Sequence, residues 1–187
     1  MSNPYADPQP TAPSKPLPPP QPPGLVGHVR IVAVLMLVQG VLELLMAIYY
    51  AVFGIFFGST LGEAMMENSG MRQAQGPPPE LMSAIMTATP IVMGFFGFIV
   101  GVLHVYAGYR NFLFQNRRLG IIALVGGMAS IMTLYCCPTS FLLFIYGAIV
   151  YMNDSVVTAF AMTSEGYPPD AILVTFTGYR NNEQEKD

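Results

Sequence analysis

The sequence predicts an all-α fold: a polytopic membrane protein built as a four-transmembrane-helix bundle, with a disordered Pro-rich N-terminus and a short interfacial C-terminal helix. Three observations predict it. The 187-residue chain is 52% hydrophobic and only 10% charged, against roughly a quarter charged residues in water-soluble domains. Four apolar segments follow one another, separated by polar or proline-containing breaks. Glycine and alanine recur along those segments at helical spacing, which lets helices approach closely in lipid, where no hydrophobic drive acts between them.

Residues 1–27 form the leader, expected to be disordered and cytoplasmic. Residues 1–23 hold ten prolines, as in KPLPPPQPP. Proline removes the backbone donor and fixes φ, so an extended, partly polyproline II chain is expected. It serves as a flexible tether or, through its PxxP spacings, as the ligand of a proline-binding partner domain. The first apolar run exceeds the ~7–15-residue core of a signal peptide and is followed by no small-x-small site, so it stays as a membrane helix.

The transmembrane domain is expected over 28–152, with segments at about 29–58, 81–109, 119–136 and 139–152. The first is longer than the ~20 residues a bilayer needs. It either tilts or projects its outer end as an aromatic-rich helix through Tyr49, Tyr50, Phe53, Phe56 and Phe57. Residues 59–80 read as a polar loop ending in QGPPPE, whose prolines stop one element and start the next. The second segment carries Pro90 near its start. Cys137-Pro138 makes a tight turn into the fourth, which at ~21 Å is short for a bilayer. It thins the membrane locally, or the CCPT turn sits below the membrane surface.

Residues 153–187 are expected to form a cytoplasmic interfacial helix and a polar tail. Asn153 or Asp154 caps the helix, and Val156, Val157, Phe160 and Ala161 share one face. The stretch YPPDAILVTFTGY suits either a surface strand or a second interfacial segment, and NNEQEKD is the tail. Lys15, Arg30, Arg110, Arg117 and Arg118 lie on one side of the segments, whereas the loop with Glu63, Glu67 and Glu80 has only Arg72. The positive-inside rule then places both termini in the cytoplasm.

The stretch YGAIVYMNDSVVTAF resembles the ending of small, uncharacterised bacterial four-helix transmembrane proteins. Tyr146, Val150, Asn153, Val156 and Phe160 match their terminal Y-x3-V-x2-N-x2-V-x3-F motif, and Ala159 also falls in place. RRLGIIAL, Arg117 to Leu124, resembles the basic turn and glycine that open their third helix, and NPYADP resembles their leader. The resemblance covers most of residues 28–163. Asp154 and Ser155 stand where the pattern has Pro and an acid, and Val157-Thr158 replace its charged pair, so the inner helix carries less charge. The resemblance implies a four-helix protein of the bacterial inner membrane and leaves the function open.

Gly40, Ala47, Ala51, Gly54 and Gly58 form one small-residue stripe, Gly94, Gly97, Gly101 and Gly108 a second, and Ala123, Gly127 and Ser130 a third. Glu43 is the only charged residue between Arg30 and Glu63, and with Gly40 and Ala47 it lies on the small face. His104 has the same relation to Gly101 and Gly108. With Arg30 and Arg110 taken as level, Glu43 stands ~20 Å up the bundle, Gln39 ~14 Å and His104 ~9 Å. A Glu43–Gln39–His104 ladder fits; a direct Glu43–His104 contact requires a register shift of several ångströms.

A carboxyl group at that depth is expensive. Alone in hydrocarbon it costs least as the neutral acid, so the first reading is structural, a hydrogen bond between helices. The other readings are recognition of another membrane subunit and handling of protons or cations. His104 reads as a satisfied interior histidine. Arg110, Arg117 and Arg118 set topology and meet anionic headgroups. The thirteen methionines suit Cu(I) in principle, but their irregular spacing reads as gap-filling. Adjacent Cys136 and Cys137 read as small apolar residues at a helix end. His28 and His104 have no partner at metal-ligand spacing, and no GxSxG, HExxH or phosphate-cradling loop appears. No cofactor is expected, and no basic run points to nucleic acid. The expected function is that of a non-enzymatic membrane protein, a structural, assembly or accessory subunit. Its expected partners are the lipid bilayer and a second copy or other membrane proteins. The alternative is a small channel or carrier subunit with a proton-sensitive Glu43/His104 site.

Overall fold

A computed structural model describes residues 24–68, 78–129 and 137–177, with Pro16 and Gln21. The expected disorder of the leader falls almost wholly outside them, as do Cys136, Met71, Arg72, the end of the third segment (130–136) and the NNEQEKD tail. The described elements are helical: α1 Val26–Asn68, α2 Pro79–Phe112, α3 Arg117–Ala129, α4 Cys137–Met152, α5 Asp154–Ser164 and α6 Pro169–Thr177.

α1 and α2 form a long antiparallel hairpin. Val26–Gly58 and Glu80–Phe112, 33 residues each, are long and apolar enough to cross a membrane. α4 and α5 pass that test only as a pair, bent by 70° where they meet. The hairpin is longer than the sequence suggests. Residues 59–68 continue α1 instead of opening a polar loop. The stretch includes the strong helix formers Leu61, Glu63 and Ala64, and Gly62 keeps the α1 backbone close to Ser83 of α2. α2 then starts on the expected proline, with Glu80 in its first turn, where the helix dipole favours a negative charge.

Glycines fix the register of the hairpin. Gly40 lies against Gly101 and Val105, Gly108 against Ala33 and Leu37, and Gly94 against Ala47 and Ala51. A Cβ on Gly40 would sit 2.8 Å from the Gly101 carbonyl oxygen, so any side chain there forces the backbones apart. Gly54 and Gly58 press on Thr87 and Ile91 further out, on either side of Pro90 in the α2 numbering, whereas Gly97 meets Ala47 at an ordinary 3.6 Å.

α3 and α4 pack on the half of the hairpin that holds the start of α1 and the end of α2. α3 stops at Ala129 within the described residues, and α4 begins at Cys137, two residues earlier than expected. α2 hands over to α3 through Phe114, which has φ +54°. This left-handed conformation costs a non-glycine residue about 1–2 kcal/mol, offset by full burial of the ring against Phe160, 5.7 Å away between centroids. Asn116 then caps α3 by accepting from the Leu119 N–H at 3.1 Å.

The C-terminal region differs from a single interfacial helix. Asn153 caps α5 as expected, accepting from the Ser155 N–H at 3.1 Å. The buried face is Val156, Ala159, Phe160 and Met162, so Val157 is only half-buried and Ala161 is exposed. The sharp bend from α4 turns α5 under the bundle and brings Ala159 and Met162 inward. Within YPPDAILVTFTGY, Pro169–Thr177 forms a second helix, α6, burying Ile172 and Phe176. Both helices join one core with Val26, Val29, Val32, Met36 and Tyr151. Arg30 Nη2 donates to Asp170 Oδ1 at 2.8 Å, and the Gln21 N–H donates to the Thr175 carbonyl at 3.1 Å, tying the start of the chain to α6.

Candidate functional site

Four polar side chains are sealed inside the apolar bundle: Gln39 and Glu43 from α1, His104 from α2 and Ser140 from the first turn of α4. None is more than 4% exposed. His104 Nδ1 and Glu43 Oε2 are 2.7 Å apart. The Gln39 amide donates to Glu43 Oε1 and to Ser140 Oγ, both at 3.0 Å. α3 supplies no polar group but makes the room. A Cβ on Gly127 would lie 2.6 Å from His104 Cε1, so glycine there is what admits the ring. α1, α2, α3 and α4 therefore all meet at this point.

The contact between Glu43 and His104 is direct, not relayed through Gln39. Arg30 and Arg110 are not level: Arg30 reaches the Phe112 ring, 5.2 Å from its centroid. Because Gly40 faces the turn from Gly101 to Val105, His104 stands only about four residues, ~6 Å, below Glu43. Side chains on a helix lean toward its N-terminus. In this antiparallel pair Glu43 leans down and His104 leans up, and the two close the gap. Gln39, expected as the middle rung, instead joins Glu43 to α4.

Two more buried polar side chains lie about two turns from His104, toward the C-terminal end of α2. Asn111 and Tyr151 are fully buried, and a Cβ on Gly120 would collide with the Asn111 amide and approach Tyr151 Cζ to 3.0 Å. His104 and Asn111 are seven residues apart on α2, as are Gly120 and Gly127 on α3. Each polar knob of α2 thus fits its own glycine hole on antiparallel α3. The Tyr151 hydroxyl donates to Met36 Sδ at 3.6 Å, between the two levels. Sequence reasoning passed over Ser140, Asn111 and Gly120; the paired seven-residue spacings were the available signal for the last two.

The arginines divide. Arg117 Nε donates to the Tyr151 carbonyl at 2.8 Å and so satisfies a carbonyl in the last turn of α4. That is a structural role the sequence reading did not give it. Arg118 is exposed. Arg110 sits in the last turn of α2, where the helix dipole favours a cation. His28, on the first turn of α1, pairs its Nδ1 with the Tyr146 hydroxyl at 2.7 Å.

Chemically, the site is a carboxyl–imidazole pair without a third strong metal donor. Among the described residues no group of three His, Cys, Asp or Glu side chains gathers. Burial of both partners makes the pair costly to break, because removing one leaves the other without compensation. Compared with protein-family models, curated proteins and solved structures, the chain matches none.

Proposed function

We propose that this chain is a four-helix protein of the bacterial inner membrane that acts without catalysis, as an assembly or accessory subunit bound to further membrane proteins or to its own copies. The observation that carries this reading is the excess length of the α1–α2 hairpin. Its two apolar stretches of 33 residues measure ~50 Å at the ideal rise, against a hydrocarbon core of about 30 Å. A typical tilt of about 20° shortens them only to roughly 47 Å. The outer end therefore rises past the lipid tails with Ile55, Phe56, Phe57, Leu81 and Ile85 exposed. Only 11% of an apolar 18-residue stretch of the α2 span is buried within the chain. Apolar surface held beyond the hydrocarbon marks a contact with protein.

α3 and α4 serve as short third and fourth crossings beside the inner half, and the arginine-rich end with both termini faces the cytoplasm by the positive-inside rule. The Glu43–His104 contact acts as the joint that holds the four helices in register, so that the hairpin presents a fixed surface. A photoreactive residue placed at Phe56 or Ile85 in intact membranes tests this. Cross-links to protein, either a second copy or another subunit, are expected; adducts with lipid alone would count against the proposal.

A second reading rests on the 2.7 Å contact between two ionisable groups: a small channel or carrier subunit with a proton-sensitive Glu43/His104 site. Glu43→Gln preserves shape and hydrogen bonding but cannot ionise. Loss of a wild-type proton flux in liposomes on that substitution would favour the second reading over the first.

A further inference from the structure

We propose that the seam between α1 and α4 is a lateral gate to the buried Glu43–His104 pair, opened by α4 swinging about its Tyr151 end. The inference needs only the buried pair and holds under either reading above. Four helices surround the pair, and glycine closes three of the four seams between neighbours. On the α1–α2 seam a Cβ on Gly40 would sit 2.8 Å from the Gly101 carbonyl oxygen. On the α2–α3 seam a Cβ on Gly127 would sit 2.6 Å from the His104 ring, and on the α3–α4 seam one on Gly147 would collide with the Leu124 side chain. None of the described glycines joins α1 to α4. That seam instead leaves a gap of about 360 Å³, running from Leu35 to Leu42 on α1 and from Thr139 to Tyr146 on α4. A seam without close backbone approach is the one that parts most readily.

The pair lies one side chain behind that gap. Gln39 lines it, and its amide donates at 3.0 Å both to Glu43 Oε1 and to Ser140 Oγ. Glu43 belongs to α1 and His104 to α2, so α4 can move away without breaking their contact. The bond it must break at this level is the one between Gln39 and Ser140. Interhelical hydrogen bonds in membranes average only about 0.6 kcal/mol, so that latch is reversible.

α4 has one firm end to swing on. Val150 and Tyr151 are fully buried, and Arg117 Nε holds the Tyr151 carbonyl at 2.8 Å. Directly beyond, the chain bends by 70° into α5. Toward the other end Phe141, Leu142 and Ile145 already face outward, so moving them exposes little new apolar surface. Ser140 stands ~16 Å from Tyr151 along the helix, and a tilt of about 20° there displaces it by ~6 Å. That is far beyond hydrogen-bond reach of Gln39.

The test uses the full-length chain in its own membranes, with Cys136→Ala and Cys137→Ala, and dicyclohexylcarbodiimide as probe. This apolar reagent adds a carboxyl O–H across its C=N bond, and peptide mass spectrometry reads the adduct at Glu43. Val38→Cys with Leu142→Cys puts thiols on both walls of the gap, where a short bismethanethiosulfonate locks α1 to α4. Adduct is expected in the unlocked chain, is lost on locking and returns when dithiothreitol cuts the bridge. Locking α2 to α3 through Leu103→Cys and Gly126→Cys, positions already in contact, should leave the adduct unchanged. Ser140→Ala should react about threefold faster, the factor carried by an average interhelical hydrogen bond. Equal adduct in locked and unlocked chains overturns the proposal, as does an unlocked chain that gives none, or loss of adduct on locking α2 to α3. If Val38→Cys with Leu142→Cys does not fold, Leu35→Cys with Leu142→Cys makes the same test.

Discussion

Replacing Glu43 and His104 by leucine, singly and together, gives a double-mutant cycle whose outcome follows from the geometry. Glu43→Leu strands His104 Nδ1 and the Gln39 amide hydrogen that pointed at Oε1, at sites 1% and 4% exposed. Interhelical hydrogen bonds in membranes contribute about 0.6 kcal/mol on average and at most about 1.7, so the lost bonds alone do not set the cost. The stranded polar groups do: breaking one side of a buried pair costs about 3–5 kcal/mol in soluble proteins. About 3 kcal/mol is expected for Glu43→Leu, at the lower end because Gln39 keeps Ser140. His104→Leu should cost about the same, since it leaves a carboxyl group with its strongest partner gone. The double variant removes both polar groups and should cost about 3 kcal/mol in total, giving a coupling of roughly 3 kcal/mol. Unfolding in dodecylmaltoside micelles titrated with dodecyl sulfate measures each corner. Costs that add to within about 0.5 kcal/mol, the behaviour of independent sites, would refute a direct contact.

Gly127→Ala places a methyl group 2.6 Å from the His104 ring and should destabilise the bundle by about 1–3 kcal/mol; the same titration reads it. Gly40→Leu meets the Gly101 carbonyl and the Val105 backbone, so it should separate α1 from α2, seen as lost cross-linking between cysteines placed on the two helices. Phe114→Ala empties a fully buried site and should cost about 3 kcal/mol, whereas Phe114→Gly recovers about 1 kcal/mol of that by relieving the left-handed backbone. Asp170→Asn breaks an ion pair whose acidic partner is 90% exposed, so thermal unfolding should move by less than the equivalent of about 1 kcal/mol.

The hairpin and its polar face were legible because spacing carries them. Glu43 and His104 each stand three residues after one glycine and four before the next small residue, which fixes the face but not the depth. Depth depends on how far two helices slide, and here Gly40, Gly94 and Gly108 set the slide through backbone contacts. Arginines at the ends, used as level marks, missed it because long side chains bend to partners: Arg30 reaches Phe112 and Asp170. Continuation of α1 past Gly58 was hidden by Ser59, Thr60 and Gly62, which look like a loop until Ser83 is seen against Gly62. α6 was ambiguous because nine residues of mixed β-branched and apolar type carry too little periodicity. Burial against α1 and α5 settles it, a tertiary effect that local propensity does not contain.

The central claim is that the Glu43–His104 joint holds a hairpin whose function is to bind other protein in the membrane. Native mass spectrometry of the wild type and of Glu43→Leu, each extracted gently from its own membranes, tests it most directly. The account predicts a defined complex, with further copies or with another subunit, for the wild type, and its loss or marked depletion for Glu43→Leu. A wild-type chain recovered alone, free of any protein partner, would contradict it.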